Sequence, residues 1–321
     1  MNHSNERFSR QLLFKPIGEE GQRKISEKHV LILGVGALGT HTSELLARSG
    51  VRKLTIIDRD YVERSNLQRQ VLFTEADAEG RWPKAEAAKR SLQKINSEVE
   101  IEAITAHADS ALLEGLIHDV DLLMDGTDNF EARFLLNDLA HKHQIPYIFG
   151  SCVGSFGMSF TIVPGKTPCL QCLLKSMPLK GQTCDTAGII APTVQMVTAH
   201  QSAEALKILS GNMDALRDAY VSFDLWENEH LSFKAGALKE EGCPSCGQDP
   251  TFPFLQADAE TRVAVLCGRD TVQIRPAYNG ELPLEQLAEG WRSAGYEVGG
   301  NPFLLSVRKD GRRAVFFKDG R

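Results

Sequence analysis

Apolar positions fall in short runs separated by longer amphipathic stretches. His29-Val30-Leu31-Ile32-Leu33 is a run of strand length that ends in Gly34-Val35-Gly36-Ala37-Leu38-Gly39. The stretch that follows, to residue 48, has helical spacing with Leu38, Leu45 and Leu46 on one side, and Gly50 stops it. Residues 53–58 read as the next strand, 84–95 as an amphipathic helix and 99–106 as a strand. Residues 120–125 form a third buried strand, 130–143 a helix and 146–152 another strand. Regular alternation of this kind predicts an α/β fold with a doubly wound, Rossmann-like, mostly parallel sheet. From residue 155 the pattern becomes strand after strand (156–163, 221–226, 231–234) around a helix near 193–209, which predicts an antiparallel extension. Beyond Gly247 a Pro- and Asp-containing linker leads to a small α+β piece, read as β-β-α-β-β from about residue 261. It closes on Ala314-Val315-Phe316-Phe317 running into Asp319-Gly320, a hairpin-turn dipeptide. Either the return strand lies beyond residue 321 or the end frays. The expected division is a large domain over residues 1–248 and a small C-terminal module over 249–321.

Composition adds exclusions. The chain has 321 residues, 42% hydrophobic and 24% charged, with a formal net charge of −6. An acidic balance argues against general nucleic-acid binding, which needs basic faces. The polar start, Met1 to Arg7, lacks the apolar core of a signal peptide, and no apolar run reaches the roughly 18 residues of a membrane span. A cytoplasmic protein is expected.

Chemistry enters at the glycines. Gly34, Gly36 and Gly39 sit between a strand and a helix, where backbone approaches phosphate closely at a helix N-terminus. Asp58 ends the next strand, in place to accept hydrogen bonds from a ribose. Nicotinamide and flavin enzymes share this pattern, so the nucleotide is decided by Asp60-Tyr61-Val62-Glu63-Arg64-Ser65-Asn66-Leu67-Gln68-Arg69-Gln70. Its Ser, Asn, Gln and Arg suit a polyphosphate better than a dinucleotide. Lys84, after Pro83 at a helix start, adds a cation. Asp128, in Asp125-Gly126-Thr127-Asp128-Asn129, follows a buried strand and offers the hard oxygen that Mg²⁺ requires. Candidate nucleotide contacts are Gly34, Gly36, Ala37, Gly39, Asp58, Asp60, Ser65, Asn66, Arg69, Lys84, Asp128 and Asn129.

Four of the seven cysteines form two Cys-x-x-Cys pairs, Cys169-Leu170-Gln171-Cys172 and Cys243-Pro244-Ser245-Cys246. Two pairs in Pro- or Gly-marked loops predict a tetrahedral four-thiolate Zn²⁺ site, closed and therefore structural. Cys152 and Cys267 lie in apolar contexts and read as small core residues. Cys184, in Gly181-Gln182-Thr183-Cys184-Asp185-Thr186-Ala187-Gly188, lies in a polar segment where a thiol is available as a nucleophile.

The elements Gly-Val-Gly-Ala-Leu-Gly, Ile-Asp-x-Asp, Ser-Asn-Leu-Gln-Arg-Gln, Pro-Lys, Thr-Asp-Asn and the two Cys-x-x-Cys pairs occur in that order. Over about residues 7 to 247 the chain thereby resembles the ThiF/MoeB-type adenylyltransferases, bacterial relatives of ubiquitin-activating enzymes. The resemblance implies that Asp58 holds the ribose of ATP, that Asn66, Arg69 and Lys84 handle the phosphates, and that Asp128 serves Mg²⁺. It also implies that Arg10 reaches the nucleotide of a partner subunit in a homodimer. The implied substrate is the C-terminal Gly-Gly carboxylate of a ubiquitin-like sulfur-carrier protein in thiamine or molybdenum-cofactor biosynthesis. A sulfur donor protein is a further implied partner, and the Cys184 position is one where some relatives form a thioester or acyl-disulfide.

These residues suit adenylation chemically. A carboxylate is already an ionised nucleophile, so attack on the α-phosphate needs no general base. What opposes the step is repulsion between anions and charge growing on pyrophosphate, and Arg69, Lys84, Arg10 and Mg²⁺ at Asp128 address both. A well-placed donor of that kind is worth roughly 2.7–4 kcal/mol of barrier. Three other readings stand beside this one: adenylation of a tRNA-bound carboxylate, a Rossmann oxidoreductase, and a non-catalytic scaffold for a ubiquitin-like protein. The oxidoreductase leaves Arg69, Lys84 and the cysteine pairs without a role.

Overall fold

The computed structural model describes residues 6–175, 188–256, 262–266, 271–275, 281–318 and 320. Its centre is an eight-stranded sheet: β1 (His29–Leu33), β2 (Lys53–Ile57), β3 (Glu100–Ile104), β4 (Leu122–Asp125), β5 (Tyr147–Val153), β6 (Phe156–Ile162), β7 (Tyr220–Asp224) and β8 (Glu229–Phe233). The order across the sheet is β3-β2-β1-β4-β5-β6-β7-β8, parallel from β3 through β5 and antiparallel from there on. The expected parallel sheet with an antiparallel extension is thus present.

Ten helices are described: α1 (Ser9–Leu12), α2 (Gly18–Ile25), α3 (Ala37–Ser49), α4 (Glu75–Glu79), α5 (Lys84–Ile95), α6 (Ser110–Leu116), α7 (Phe130–His143), α8 (Leu170–Lys175), α9 (Ala191–Ser210) and α10 (Leu284–Ser293). Every residue of β1 is buried, because helices cover both faces of the parallel part. Val30 and Ile32 point into one apolar cluster with α3, α5 and α9. Leu31 and Leu33 point into a second, with Leu135, Leu136 and Leu139 of α7 and Leu113 of α6. Chain order reverses between β1 and β4, and the crevice beyond their C-terminal ends is where open α/β sheets receive ligands.

The C-terminal segment holds a two-stranded pair, β9 (Arg262–Leu266) with β10 (Thr271–Arg275), and an antiparallel sheet of β11 (Glu297–Asn301), β12 (Leu304–Lys309) and β13 (Arg312–Phe317). Helix α10 covers one face of that sheet through Ala288, Leu305, Val307 and Trp291. The segment therefore has one strand more than expected. One hairpin turn is Asp310-Gly311, with φ of +50° and +74°; Asp319 lies outside the described residues. Residues 314–317 are themselves the return strand. Among the described residues no helix is long and apolar enough to cross a membrane.

Candidate active site

Two strand-to-helix turns meet at the switch point, and glycines let them touch. A Cβ on Gly39 would lie 1.9 Å from the Gly34 carbonyl oxygen, one on Gly126 2.2 Å from the same oxygen, and one on Gly34 2.6 Å from the Gly126 carbonyl oxygen. Gly34 also has φ +87°, a left-handed value that favours glycine. These three glycines interlock the ends of β1 and β4 with the start of α3. Gly36 differs. It caps α3, and a Cβ there would meet only the Gln70 amide at 3.8 Å, which leaves open space in front of the helix N-terminus. Ala37 is the first residue of that helix.

Asp58 follows β2 and accepts two backbone hydrogen bonds, from Val35 N at 2.7 Å and Asp60 N at 2.7 Å. Its carboxylate thereby locks the glycine turn to the next loop while each oxygen keeps a lone pair. Burial pushes its pKa up, and the Lys84 ammonium pulls against that. Lys84 is buried, with a side chain 7% exposed, and its Nζ lies 3.2 Å from the Asp60 carboxylate. The two are also tied through the backbone, Lys84 N donating to Asp60 O at 2.8 Å.

Asn66 is buried and its Oδ1 accepts the Glu63 amide in a capping box, so part of its side chain builds the loop. Ser65 is exposed, and Arg69 is half-buried with Nη1 donating to Ser65 O at 2.9 Å. Gln70, a site residue that sequence reasoning missed, is 4% exposed and its Oε1 has no hydrogen-bond partner among the described residues. The Gln70 Nε2 is the atom nearest Gly36, and the buried Oε1 acceptor without a partner among the described residues is free to take a donor from a ligand. The only sequence signal for it was its place in Ser-Asn-Leu-Gln-Arg-Gln.

Asp128 stands exposed at the rim beyond β4. Asn129 caps α7, its Oδ1 accepting Ala132 N at 2.9 Å. Beneath this rim lies a network that sequence reading missed. Asp125, fully buried, takes Arg133 Nε at 3.2 Å, Thr127 Oγ1 at 2.7 Å and Tyr147 OH at 3.2 Å. Arg133 also donates to Thr127 O at 2.8 Å. Burial raises the Asp125 pKa, opposed first by Arg133. Arg133 reads in sequence as one more helical charge, because nothing local reports that β4 ends beneath it.

Arg10 lies exposed on α1 and makes no hydrogen bond or ion pair among the described residues. Leu13 and Phe14 beside it are 70% and 59% exposed. Cys184 and Cys267 lie outside the described residues, and Cys152 is buried as expected.

The four expected metal cysteines do come together. Their sulfurs lie within 4.8 Å of one another, with Cys169 to Cys243 and Cys172 to Cys246 both at 3.6 Å. A tetrahedral Zn–S distance of about 2.3 Å sets an S···S edge of about 3.8 Å, whereas a disulfide needs about 2.05 Å. The donor set therefore fits a four-thiolate metal. Ser245, inside the second pair, donates to Asp138 of α7 at 2.5 Å, and Phe254 N donates to the same carboxylate at 2.9 Å. The cysteine lobe is thus fastened to the helix that starts at the site rim.

This architecture, with a glycine-rich turn, a carboxylate after β2 and a buried lysine at the switch point, defines a nucleotide-binding α/β protein. Residues 8–245 match the ThiF family profile, and the chain belongs to the ThiF family. It is 50% identical over 315 residues to a sulfur carrier protein ThiS adenylyltransferase of Bacillus subtilis, covering 98% of this chain and 93% of that one. It is 34% identical over 244 residues to a molybdopterin-synthase adenylyltransferase of Escherichia coli, covering 75% of this chain and 96% of that one. Among solved structures, E. coli MccB with ATP superposes with TM-score 0.65 at 28% identity, covering 76% of this chain and 75% of that one.

Proposed function

We propose that the chain is an adenylyltransferase that uses MgATP to activate the C-terminal Gly-Gly carboxylate of a ubiquitin-like sulfur-carrier protein. The observation that carries this reading is the buried Lys84–Asp60 pair beside the open Gly36 turn, in a chain half identical to a named ThiS adenylyltransferase. Residues 1–248 form the catalytic domain in this reading and 249–321 an added module. The setting is the cytoplasm, and the pathway is thiamine or molybdenum-cofactor synthesis; the extent of the Bacillus match favours thiamine.

In the reaction a carrier carboxylate oxygen attacks the α-phosphorus of ATP, the bond from that phosphorus to the α,β-bridging oxygen breaks, and pyrophosphate leaves with its electron pair. The products are the acyl-adenylate and pyrophosphate. Gly34 through Gly39 shape the turn that receives the phosphates at the N-terminus of α3, where backbone N–H groups favour anions. Asp58 has a lone pair left on each oxygen for the ribose hydroxyls, and Gln70 Oε1 supplies a second acceptor. Lys84 and Arg69 oppose the charge that grows on the leaving group. Because Lys84 is withdrawn from water, its charge is weakly screened and already oriented, so little reorganisation accompanies the step. Bound at Asp128, Mg²⁺ would offset phosphate charge, with Asn129 beside it; Ser65 and Asn66 would serve the phosphates from their own loop. Zn²⁺ at Cys169, Cys172, Cys243 and Cys246 would be structural.

Arg10 serves the neighbouring subunit's nucleotide in a homodimer, a reading supported by its unpaired exposure beside apolar Leu13 and Phe14. The carrier body docks on the apolar patch of Phe156, Trp226 and Leu231, which strand direction puts at the same rim as the nucleotide turn. In this reading Cys184 would be the thiol that captures the activated acyl group before a sulfur donor protein acts. The test is ATP–pyrophosphate exchange with candidate carriers, with and without their final Gly-Gly. Exchange that requires an intact tail supports the reading, and its absence with every carrier sinks it.

A further inference from the structure

The C-terminal three-stranded sheet presses on the segment that carries Asp60 and Lys84. That segment is a short two-sided ladder. Tyr61 bridges Pro83, Val62 N donates to Trp82 O at 2.8 Å, and Lys84 N donates to Asp60 O. Its outer end turns through Gly80-Arg81-Trp82, where Arg81 is held at φ +47°, a left-handed value uncommon for a side chain of that size. Residues of the sheet meet this turn at several points. Asn301 Nδ2 donates to the carbonyls of Gly80 at 3.1 Å and Arg81 at 2.9 Å. The Arg81 guanidinium reaches Ser306 Oγ at 2.9 Å, and Arg313 Nη2 reaches Tyr61 OH at 3.0 Å. Phe303 packs on Trp82 and Phe317 on Tyr61, with ring centres 6.0 and 6.3 Å apart. Strained backbone persists where surroundings over-determine it, and it gathers at sites that need fixed geometry.

We propose that the C-terminal α+β unit is a positioning device for the nucleotide site, in which Asn301 and Arg313 grip the 60–84 ladder and so fix where the Lys84 ammonium and Asp60 carboxylate stand. The proposal rests on the nucleotide-site reading above. Its logic is one of leverage. Tyr61 and Pro83 are each one residue from Asp60 and Lys84, so a shift of the outer turn moves the backbone of both charged groups together. α10 packs the far face of the sheet, which makes the grip a pad and not a loose tail. The family match ends at residue 245, before this unit, so the grip is an addition to the shared catalytic fold. Asn301 and Arg313 act through the ladder and are positioning residues, not catalytic ones.

The experiment compares full-length wild type with Asn301→Ala, Arg313→Ala, their double variant and the conservative Arg313→Lys. Lys309→Ala serves as control for loss of surface charge, since Lys309 lies over Tyr296 and away from the ladder. ATP affinity by calorimetry is measured alongside exchange kinetics and melting temperature. The double variant should bind ATP about five- to tenfold more weakly and raise KM for ATP to match. Its kcat should fall as well, by less than in Lys84→Met, its KM for carrier should not move, and Arg313→Lys should restore part of the loss. ATP affinity unchanged in the double variant overturns the proposal, as does a loss that only tracks a fall in folded protein or appears equally in Lys309→Ala. Wild type that binds ATP but exchanges nothing refutes adenylation while the affinity series still decides the grip; wild type that binds no ATP overturns both.

Discussion

Arg133→Met places the heaviest load on the buried network under the site. The substitution removes the cation 3.2 Å from a carboxylate with no exposed surface, together with the donor to Thr127 O, and fills most of the space with an apolar chain. Breaking a buried pair from one side costs about 3–5 kcal/mol, because the remaining charge is left uncompensated. For a domain of this size each kcal/mol is worth about 2–4 °C, so Tm should fall by about 6–20 °C. The loss should depend on pH. In the folded wild type the Asp125 pKa is already raised by burial, with Arg133 the largest influence holding it down. Without Arg133 it rises further above the unfolded value of about 3.9. A raised folded pKa means stability that is present at acid pH and lost as pH climbs through that pKa. The deficit against wild type should therefore be largest near pH 8 and shrink toward pH 5. Denaturant unfolding across that range reads it directly, and Asp125→Asn added to Arg133→Met should recover part of the loss. A deficit under about 1 kcal/mol, or one indifferent to pH from 5 to 8, would refute the reasoning.

Further outcomes follow from the site. Lys84→Met should lower pyrophosphate exchange by about 10²–10³-fold, the usual effect of losing one preorganised charge, while zinc content stays constant; activity within tenfold of wild type would remove Lys84 from the chemistry. Gly39→Ala should fail to accumulate as folded protein, because its Cβ has no room at 1.9 Å from a carbonyl oxygen. Gly36→Ala, with open space around it, should fold normally and weaken ATP binding, and equal behaviour of the two variants would contradict the division of labour among the glycines. Elemental analysis should find about one zinc per chain, and Cys243→Ser should lose both the metal and thermal stability. Cys184→Ser should retain exchange but lose sulfur transfer to the carrier; retention of both would end the role given to that thiol.

The parallel core was legible because its signals are local. Residues 84–95 and 130–143 have helical spacing bounded by Pro83 and Asn129, and the helices begin and end there. The metal cysteines were legible by spacing, and their sulfurs meet. What stayed hidden depends on contacts between distant segments. Nothing near Arg133 announces Asp125 across the α7–β4 gap, and nothing near Asn301 announces the carbonyls of Gly80 and Arg81. The C-terminal hairpin at Asp310-Gly311 depends on contacts of the same kind, since cross-strand pairing of Leu305 with Phe316 and Val307 with Ala314 fixes it and no local signal reports that pairing. Asn66 and Asn129 were read for their place near phosphate, yet each spends a side-chain oxygen on a helix start, a local use the motif does not reveal.

The cysteine cluster also ties together distant parts of the chain. Its paired sulfurs are 74 residues apart along the chain, and between them lie α9, β7 and β8. Closing a loop of that length in an unfolded chain costs about 4 kcal/mol of entropy, so the two halves of the metal site do not meet early by chance. In the folded protein β7 pairs with β6 and α9 packs on β5 and β6, which brings the two ends together. A metal ion bound there would act as a latch, holding shut the antiparallel half of the sheet.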